Sequence, residues 1–149
     1  MQIKELTVEE CLAFLAGKSF GRLGCANDSQ PYITPFHFVY HDHYIYSFGT
    51  IGRKIEWLRL NPRACVEVED IANSQHWTTA IVLGRYEELP ATKEAKVARE
   101  FAHDLLQQRE LWWEPGYVRT VIAGEERPLE PVYFRVSVDE ISGHRATSR

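Results

Sequence analysis

A chain of 149 residues, 44% hydrophobic and 26% charged, can bury one core without disulfide or metal staples and is too short to call for a second. Residues 1–149 are therefore read as a single domain. The formal net charge of -4 excludes a general nucleic-acid or anionic-membrane surface, so any anion site must be local. No run of about 18 apolar residues occurs, so no membrane span is expected. Cys11, Cys25 and Cys65 form no C-x-x-C pair and read as reduced core residues of a cytoplasmic protein.

Leu6 followed by Thr7-Val8-Glu9-Glu10 has the form of a capping box with a Leu6–Cys11 staple, opening a helix that buries Leu12, Phe14 and Leu15 and stops at Gly17. Phe20 to Ala26 reads as a strand and Asn27-Asp28-Ser29-Gln30 as a turn. Tyr32 to Tyr40 is a second strand, interrupted by Pro35. A proline cannot donate to a ladder, so this strand lies at an edge or beside something other than a strand. His41-Asp42-His43 turns the chain into Tyr44 to Phe48, a third strand.

That strand runs into Gly49-Thr50-Ile51-Gly52 and then Arg53-Lys54, where a short helix to about Leu60 begins, with Asn61-Pro62 as its stop. The two glycines are expected to let the backbone turn tightly. Unpaired N–H groups and the positive end of a helix dipole gather at such a start, and two cations make it suited to a phosphate or another anion. The spacing matches neither G-x-x-x-x-G-K-[ST] nor G-x-G-x-x-G. A solvated loop whose cations face water reads the same segment equally well.

Ala64 to Val68 is an apolar strand, Glu69 to Gln75 a polar loop, and His76 to Leu89 a long strand in which Gly84 suggests a bulge or bend. Thr92 to Gln108 is an amphipathic helix, and Arg109 to Pro131 an irregular aromatic loop carrying Trp112 and Trp113. Val132 to Val138 alternates as a half-buried strand before a polar tail. Six strands joined mainly by turns, with two long helices and one short, favour a mainly β (α+β) fold: an antiparallel sheet curled into a small barrel with flanking helices.

The succession G-R-L-G, P-Y-I-T-P-F-H-F-V-Y, I-Y-S-F-G, G-R-K-I-x-x-L-R-x-N-P-R-A-C-V-E-V and W-T-T-A-I-V-L-G-R-Y resembles the pyridoxamine 5'-phosphate oxidase-related split-barrel flavoproteins, closest to the nitroimidazole-resistance branch. The resemblance implies a six-stranded antiparallel split barrel, a homodimer with FMN in grooves at the interface, and oxidoreductase chemistry on a small-molecule substrate with a nicotinamide as possible electron donor. It places Arg53 and Lys54, with Gly52, on the FMN phosphate. Thr34, Pro35, Phe36 and His37 would lie along the ring, Ser47, Phe48, Gly49 and Thr50 would continue that wall, and Trp77, Thr78 and Thr79 would close the pocket from the partner subunit. Phe48 stands where the nitroimidazole branch commonly has a histidine, a departure from that activity. A flavin carrier or sensor without turnover, or a relative holding haem or a deazaflavin, fits the same pattern.

His37 reads either as a donor to the flavin or as an ordinary strand histidine. His41 and His43 read as turn residues, since no third metal ligand follows them. No serine–histidine–aspartate or cysteine–histidine spacing supports nucleophilic catalysis.

Overall fold

The computed structural model describes residues 1–108, 120–122, 124–127 and 131–148. In chain order these form β1 (Gln2–Glu5), α1 (Val8–Ala16), β2 (Phe20–Asn27), β3 (Gln30–His37), β4 (Val39–His41), β5 (Tyr44–Thr50), α2 (Arg53–Leu60), β6 (Arg63–Asn73), β7 (His76–Glu88), α3 (Lys96–Gln107), β8 (Thr120–Ile122), β9 (Glu125–Arg127), β10 (Pro131–Ser137) and β11 (Glu140–Thr147). The six expected strands are present as β2, β3 with β4, β5, β6, β7 and β10.

The main sheet has the order β3-β2-β6-β7-β10-β5-β4, antiparallel throughout, with β11 on β7 and β1 on β11. It curls but does not close. Its two ends are consecutive in the chain: β3 runs into β4 through Phe38, whose N–H donates to Ser19 O at 3.0 Å, one step past the Phe20–His37 pair of the β2–β3 ladder. Val39 pairs with Tyr46, but no ladder continues between the end of β3 and the second half of β5. The Ser47 hydroxyl spans that seam, donating to His37 O at 2.6 Å. Pro35 therefore sits on an edge strand paired only with β2, where its missing N–H costs no rung.

β7 serves two partners on one side. Its residues 77–83 pair with β11 and 86–88 with β10. The switch falls at Gly84, where a Cβ would lie 1.6 Å from Ser137 O, so the expected bend is a close approach that only glycine permits.

Inside the barrel, Leu23, Phe36, Phe38, Ile45, Val66, Val82 and Phe134 pack with Ile55 and Leu58 of α2 and Leu15 of α1. α3 covers the other side of β5 and β10 through Ala102, Leu106, Tyr46 and Tyr133, with Phe48 against them. The two-residue period of β5 thus sends Ile45 and Ser47 inward and Tyr46 and Phe48 to α3. The α1 capping box forms as expected: Glu10 N donates to Thr7 Oγ1 at 3.2 Å, and Thr7 N to Glu10 Oε1 at 3.1 Å. The β2–β3 and β4–β5 hairpin turns each use two residues at positive φ, Asp28 and Ser29 (47° and 64°) and Asp42 and His43 (43° and 65°).

Several expectations are corrected. β6 runs on through Asn73, because the polar Glu69 to Ile71 still pair with β7. α3 begins only at Lys96, after a turn in which Ala95 N donates to Thr92 Oγ1. The polar tail is the strand β11, and β1 precedes the first helix. The stretch read as an irregular loop contains the β8–β9 hairpin; Trp112 and Trp113 lie outside the described residues. Cys11 and Cys25 are buried, but Cys65 is exposed on the outer face of β6. No described helix is long and apolar enough to cross a membrane.

The Ser47 bridge is the hydrogen bond that ties β5 to the end of β3. Ser47→Ala is expected to lower stability by about 1 kcal/mol in urea titrations with an unchanged m value, since a part-buried carbonyl loses its donor while the exposed area of the unfolded chain stays the same.

Candidate functional site

The seam between β3 and β5 opens at the start of α2. Of the expected flavin wall, Thr34 is half-buried and faces the barrel side, Phe36 is buried with its ring 5.4 Å from Phe38, and Pro35 and His37 point outward and are exposed. The His37 ring rests against Phe20 at 5.0 Å. The Phe36 side chain belongs to the core and its backbone faces β2 opposite Gly21, so the free edge here is that of Pro35 and His37. On the facing strand, Ser47 and Gly49 are buried, Thr50 is half-buried at the rim, and Phe48 turns away toward Tyr133, 5.0 Å off. The backbone groups of Ser47 to Thr50 that point away from β10, and those of Thr34 to His37 that point away from β2, have no ladder partner. The result is a slot edged by unpaired peptide groups.

α2 closes one end of the slot. Glu56 N makes the first helical bond, to Gly52 O at 3.0 Å, and Gly52 provides no side-chain cap. Among the described residues the N–H groups of Arg53, Lys54 and Ile55 have no acceptor. The chain bends at Ile51-Gly52 between β5 and α2, and neither Gly49 nor Gly52 has positive φ, so the bend uses backbone angles open to other residues too. Gly49 leaves room for the Lys54 side chain: a Cβ there would lie in tight contact, 3.3 Å from Lys54 Cε and 3.4 Å from Lys54 Nζ. A Cβ at Gly52 would meet only Thr50 O, at 3.9 Å, so that position leaves open room directly in front of the free N–H groups.

The two cations part company. Arg53 and Lys54 are adjacent on a helix and so point about 100° apart. Lys54 folds back over Gly49, half-buried, with no ion pair or hydrogen bond among the described residues, and burial lowers its ammonium pKa. Arg53 is exposed and stands over the rings of Tyr32 (5.3 Å) and Trp57 (5.8 Å), which touch edge to face. A desolvated ammonium without a counter-charge, beside a row of free N–H groups, is a cradle for an anion. These residues fit a phosphate.

Trp77, Thr78 and Thr79 open β7, as expected, but two strands separate them from β3 within one chain. Thr78 is buried, its Oγ1 accepting from Arg145 Nε at 3.2 Å, while Trp77 and Thr79 are half-buried. One chain therefore brings together Thr34–His37 and Ser47–Lys54 but not Trp77–Thr79. Tyr32 and Trp57, which hold Arg53, were not singled out from sequence; their only signal is the register that sets Tyr32 three residues before Pro35 and Trp57 one helical turn after Arg53. His41 and His43 sit at the β4–β5 turn, and among the described residues no group of three metal-ligating side chains gathers.

Residues 7–145 match the family described as pyridoxamine 5'-phosphate oxidase. An uncharacterized protein of Rhizobium meliloti (strain 1021) is 34% identical over 146 residues, covering 98% of this chain and 97% of that protein. The crystal structure of an FAD-binding protein from Mesorhizobium loti is 37% identical with a TM-score of 0.80, covering 99% of this chain and 100% of that one. A candidate 5-nitroimidazole antibiotic resistance protein of Bacteroides thetaiotaomicron, at 16% identity, has the same fold with a TM-score of 0.64 over 97% of this chain and 89% of its own. A split barrel with this match over nearly its whole length belongs to the pyridoxamine 5'-phosphate oxidase family.

Proposed function

We propose that the protein is a flavin-dependent oxidoreductase acting on a small molecule, with the flavin in the slot between β3 and β5 and its phosphate at Lys54. The observation that carries this reading is the unpaired, half-buried Lys54 ammonium set beside the free N–H groups of α2. The edges of Thr34 to His37 and Ser47 to Thr50 present unpaired peptide donors and acceptors to the polar rim of the ring. When bound, the flavin supplies reversible two-electron transfer, and the chain supplies position, charge balance and exclusion of water. A nicotinamide is the proposed donor. FMN needs only the one phosphate site described; the Mesorhizobium loti protein, described as FAD-binding, supports FAD as a second reading. The flavin mononucleotide portion is common to both.

The proposed assembly is a homodimer, which lets the partner's Trp77 to Thr79 close the slot. The outer face of β2, β3, β6 and β7 carries exposed Phe20, Ile33, Ile71, Ile81 and Leu83, an apolar sheet surface that no described element of the same chain covers. At its centre Glu67 Oε1 is shut off from water without a hydrogen-bond donor among the described residues, 3.6 Å from Arg22. Burial, and then neighbouring Glu69, push that carboxyl above the usual range against the pull of Arg22. A partner covering this face would supply the missing donor. The buried thiols of Cys11 and Cys25 and the absence of disulfides among the described cysteines suit a cytoplasmic location.

Lys54 yields a paired test. Its folded-state pKa lies below the ordinary 10.5, so the unfolded chain binds the proton more tightly and ligand-free stability rises with pH through this group until 10.5 is passed. Lys54→Met is therefore expected to melt above the parent near neutral pH without flavin, the gap closing as pH nears 10.5, while its flavin affinity drops about 10- to 100-fold. A variant that binds flavin as the parent does removes Lys54 from the site.

Light scattering is expected to give twice the 17.3 kDa chain mass at micromolar concentration, and a mass of one chain with flavin bound would exclude the dimer. Thr34→Ala and Trp77→Phe are expected to shift the bound flavin's absorption bands, whereas Lys93→Ala before α3 should leave them in place. Reduction of the bound flavin by a nicotinamide, followed by reoxidation on a small-molecule acceptor, separates turnover from passive carriage.

A further inference from the structure

A groove separates α3 from the ends of β7 and β10, on the opposite side of β5 and β10 from the barrel interior and apart from the apolar face of β2, β3, β6 and β7. It consists of two cavities, of about 340 and 600 Å3, that share Ala91, Arg99, Pro131 and Tyr133 as walls. Such volumes are those of small-molecule sites. The smaller cavity starts at the rim of the flavin slot: Ile51 lines it directly after Thr50, and Pro131 is the ladder partner of Thr50. The larger one runs along α3.

Charge is unevenly matched along this groove. At the slot end Arg59 donates from Nε and Nη2 to Glu88 Oε1, at 3.1 and 2.7 Å, so that pair cancels. Along α3, Lys96, Arg99 and His103 are spaced i, i+3 and i+7 and share one face of the helix, with Lys93 just before it. Among the described residues Lys93, Lys96 and Arg99 form no ion pair, although Glu100 and Asp104 line the same cavity. Arg99 is half-buried against uncharged groups instead: Nη1 donates to Leu89 O at 2.8 Å, and the guanidinium lies over the Tyr133 ring at 4.7 Å. The Tyr133 hydroxyl is held in turn by His103 Nδ1 at 2.7 Å. Arg99 is thus fixed where the two cavities meet, with most of its N–H groups left for an anion.

Lys96 to His103 covers about 10 Å of helix, so a single small anion would meet only part of the row. A ligand with several phosphates meets all of it, and Glu100 and Asp104 at the border are acceptors suited to ribose hydroxyls. Apart from the flavin, the reduced nicotinamide dinucleotide is the one molecule of the proposed reaction that carries several phosphates and must also reach the slot. Resting on the flavin reading above, we propose that this groove is the electron donor's binding site. The pyrophosphate lies at Arg99 and the adenosine ribose at Lys93 and Lys96, which makes the form with a 2'-phosphate, NADPH, the preferred donor.

The test is calorimetric titration of the flavin-loaded full-length protein with NADP+ and NAD+, which carry the donor's phosphates without reducing the flavin. With the Lys54 cradle already filled, only a second site responds. NADP+ is expected to bind about tenfold more tightly than NAD+. Lys93→Glu with Lys96→Glu, both at exposed positions, is expected to bring NADP+ down to the affinity of NAD+ while flavin affinity and melting temperature stay the same. Arg99→Gln is expected to weaken both dinucleotides, and should it fail to fold, the lysine pair decides. No preference for NADP+ in the parent, or a preference that survives reversal of the two lysines, overturns the groove site and leaves the flavin reading standing. A protein that loads no flavin overturns both.

Discussion

The rung that is not made between β3 and β5 shapes everything else. A curled sheet normally gains by closing, because every edge pairs and no peptide group is left over. Here the chain turns at Phe38, spends that amide on Ser19 O and leaves one hydroxyl, Ser47, to span the seam. The cost is a row of unpaired peptide groups at the mouth of the barrel. The gain is a slot whose rim is polar and whose base is the packed core around Phe36 and Phe134. Pro35 belongs to that arrangement: with no N–H to offer, it keeps another strand from adding to that edge.

Electrostatics complete what the seam begins. Surface cations are usually solvated and contribute little, as exposed pairs such as Lys4–Glu10 illustrate. Lys54 differs because its side chain folds down over Gly49 onto the barrel, where water is partly excluded and no carboxylate of the described residues follows. Arg53, one residue earlier, is held off by Tyr32 and Trp57 and keeps its charge at the edge strand. Two adjacent cations thus serve two places some distance apart, with the helix N-terminus between them.

Much of this could be read in the residues. The capping box, the two polar turns, the edge proline and the apolar strand runs carry local signals strong enough to survive folding, and the glycine-basic block marked the start of α2. What could not be read depends on partners distant in sequence. β11 is Glu140–Thr147, a polar run with a glycine, and becomes a strand only because β7 offers it a free edge beyond Gly84. The same holds for the far end of β6 and for β1. The reason for Gly49 was also hidden, since it lies in where the Lys54 side chain comes to rest rather than in the φ angle of the glycine. Cys65 looked like core because its neighbours Ala64 and Val66 are core; strand alternation puts it on the other face.

The uncompensated ammonium of Lys54 also bears on how much of this protein a cell can keep. Without an anion the folded chain carries a penalty that the unfolded chain escapes, so the empty protein is the weaker one. A ligand at a hundred times its dissociation constant adds about 2.7 kcal/mol to folding. That amount is a large share of the stability of a small domain. On the flavin reading proposed above, the standing level of the protein would follow the supply of flavin: newly made chains persist where it is abundant and are cleared where it is scarce.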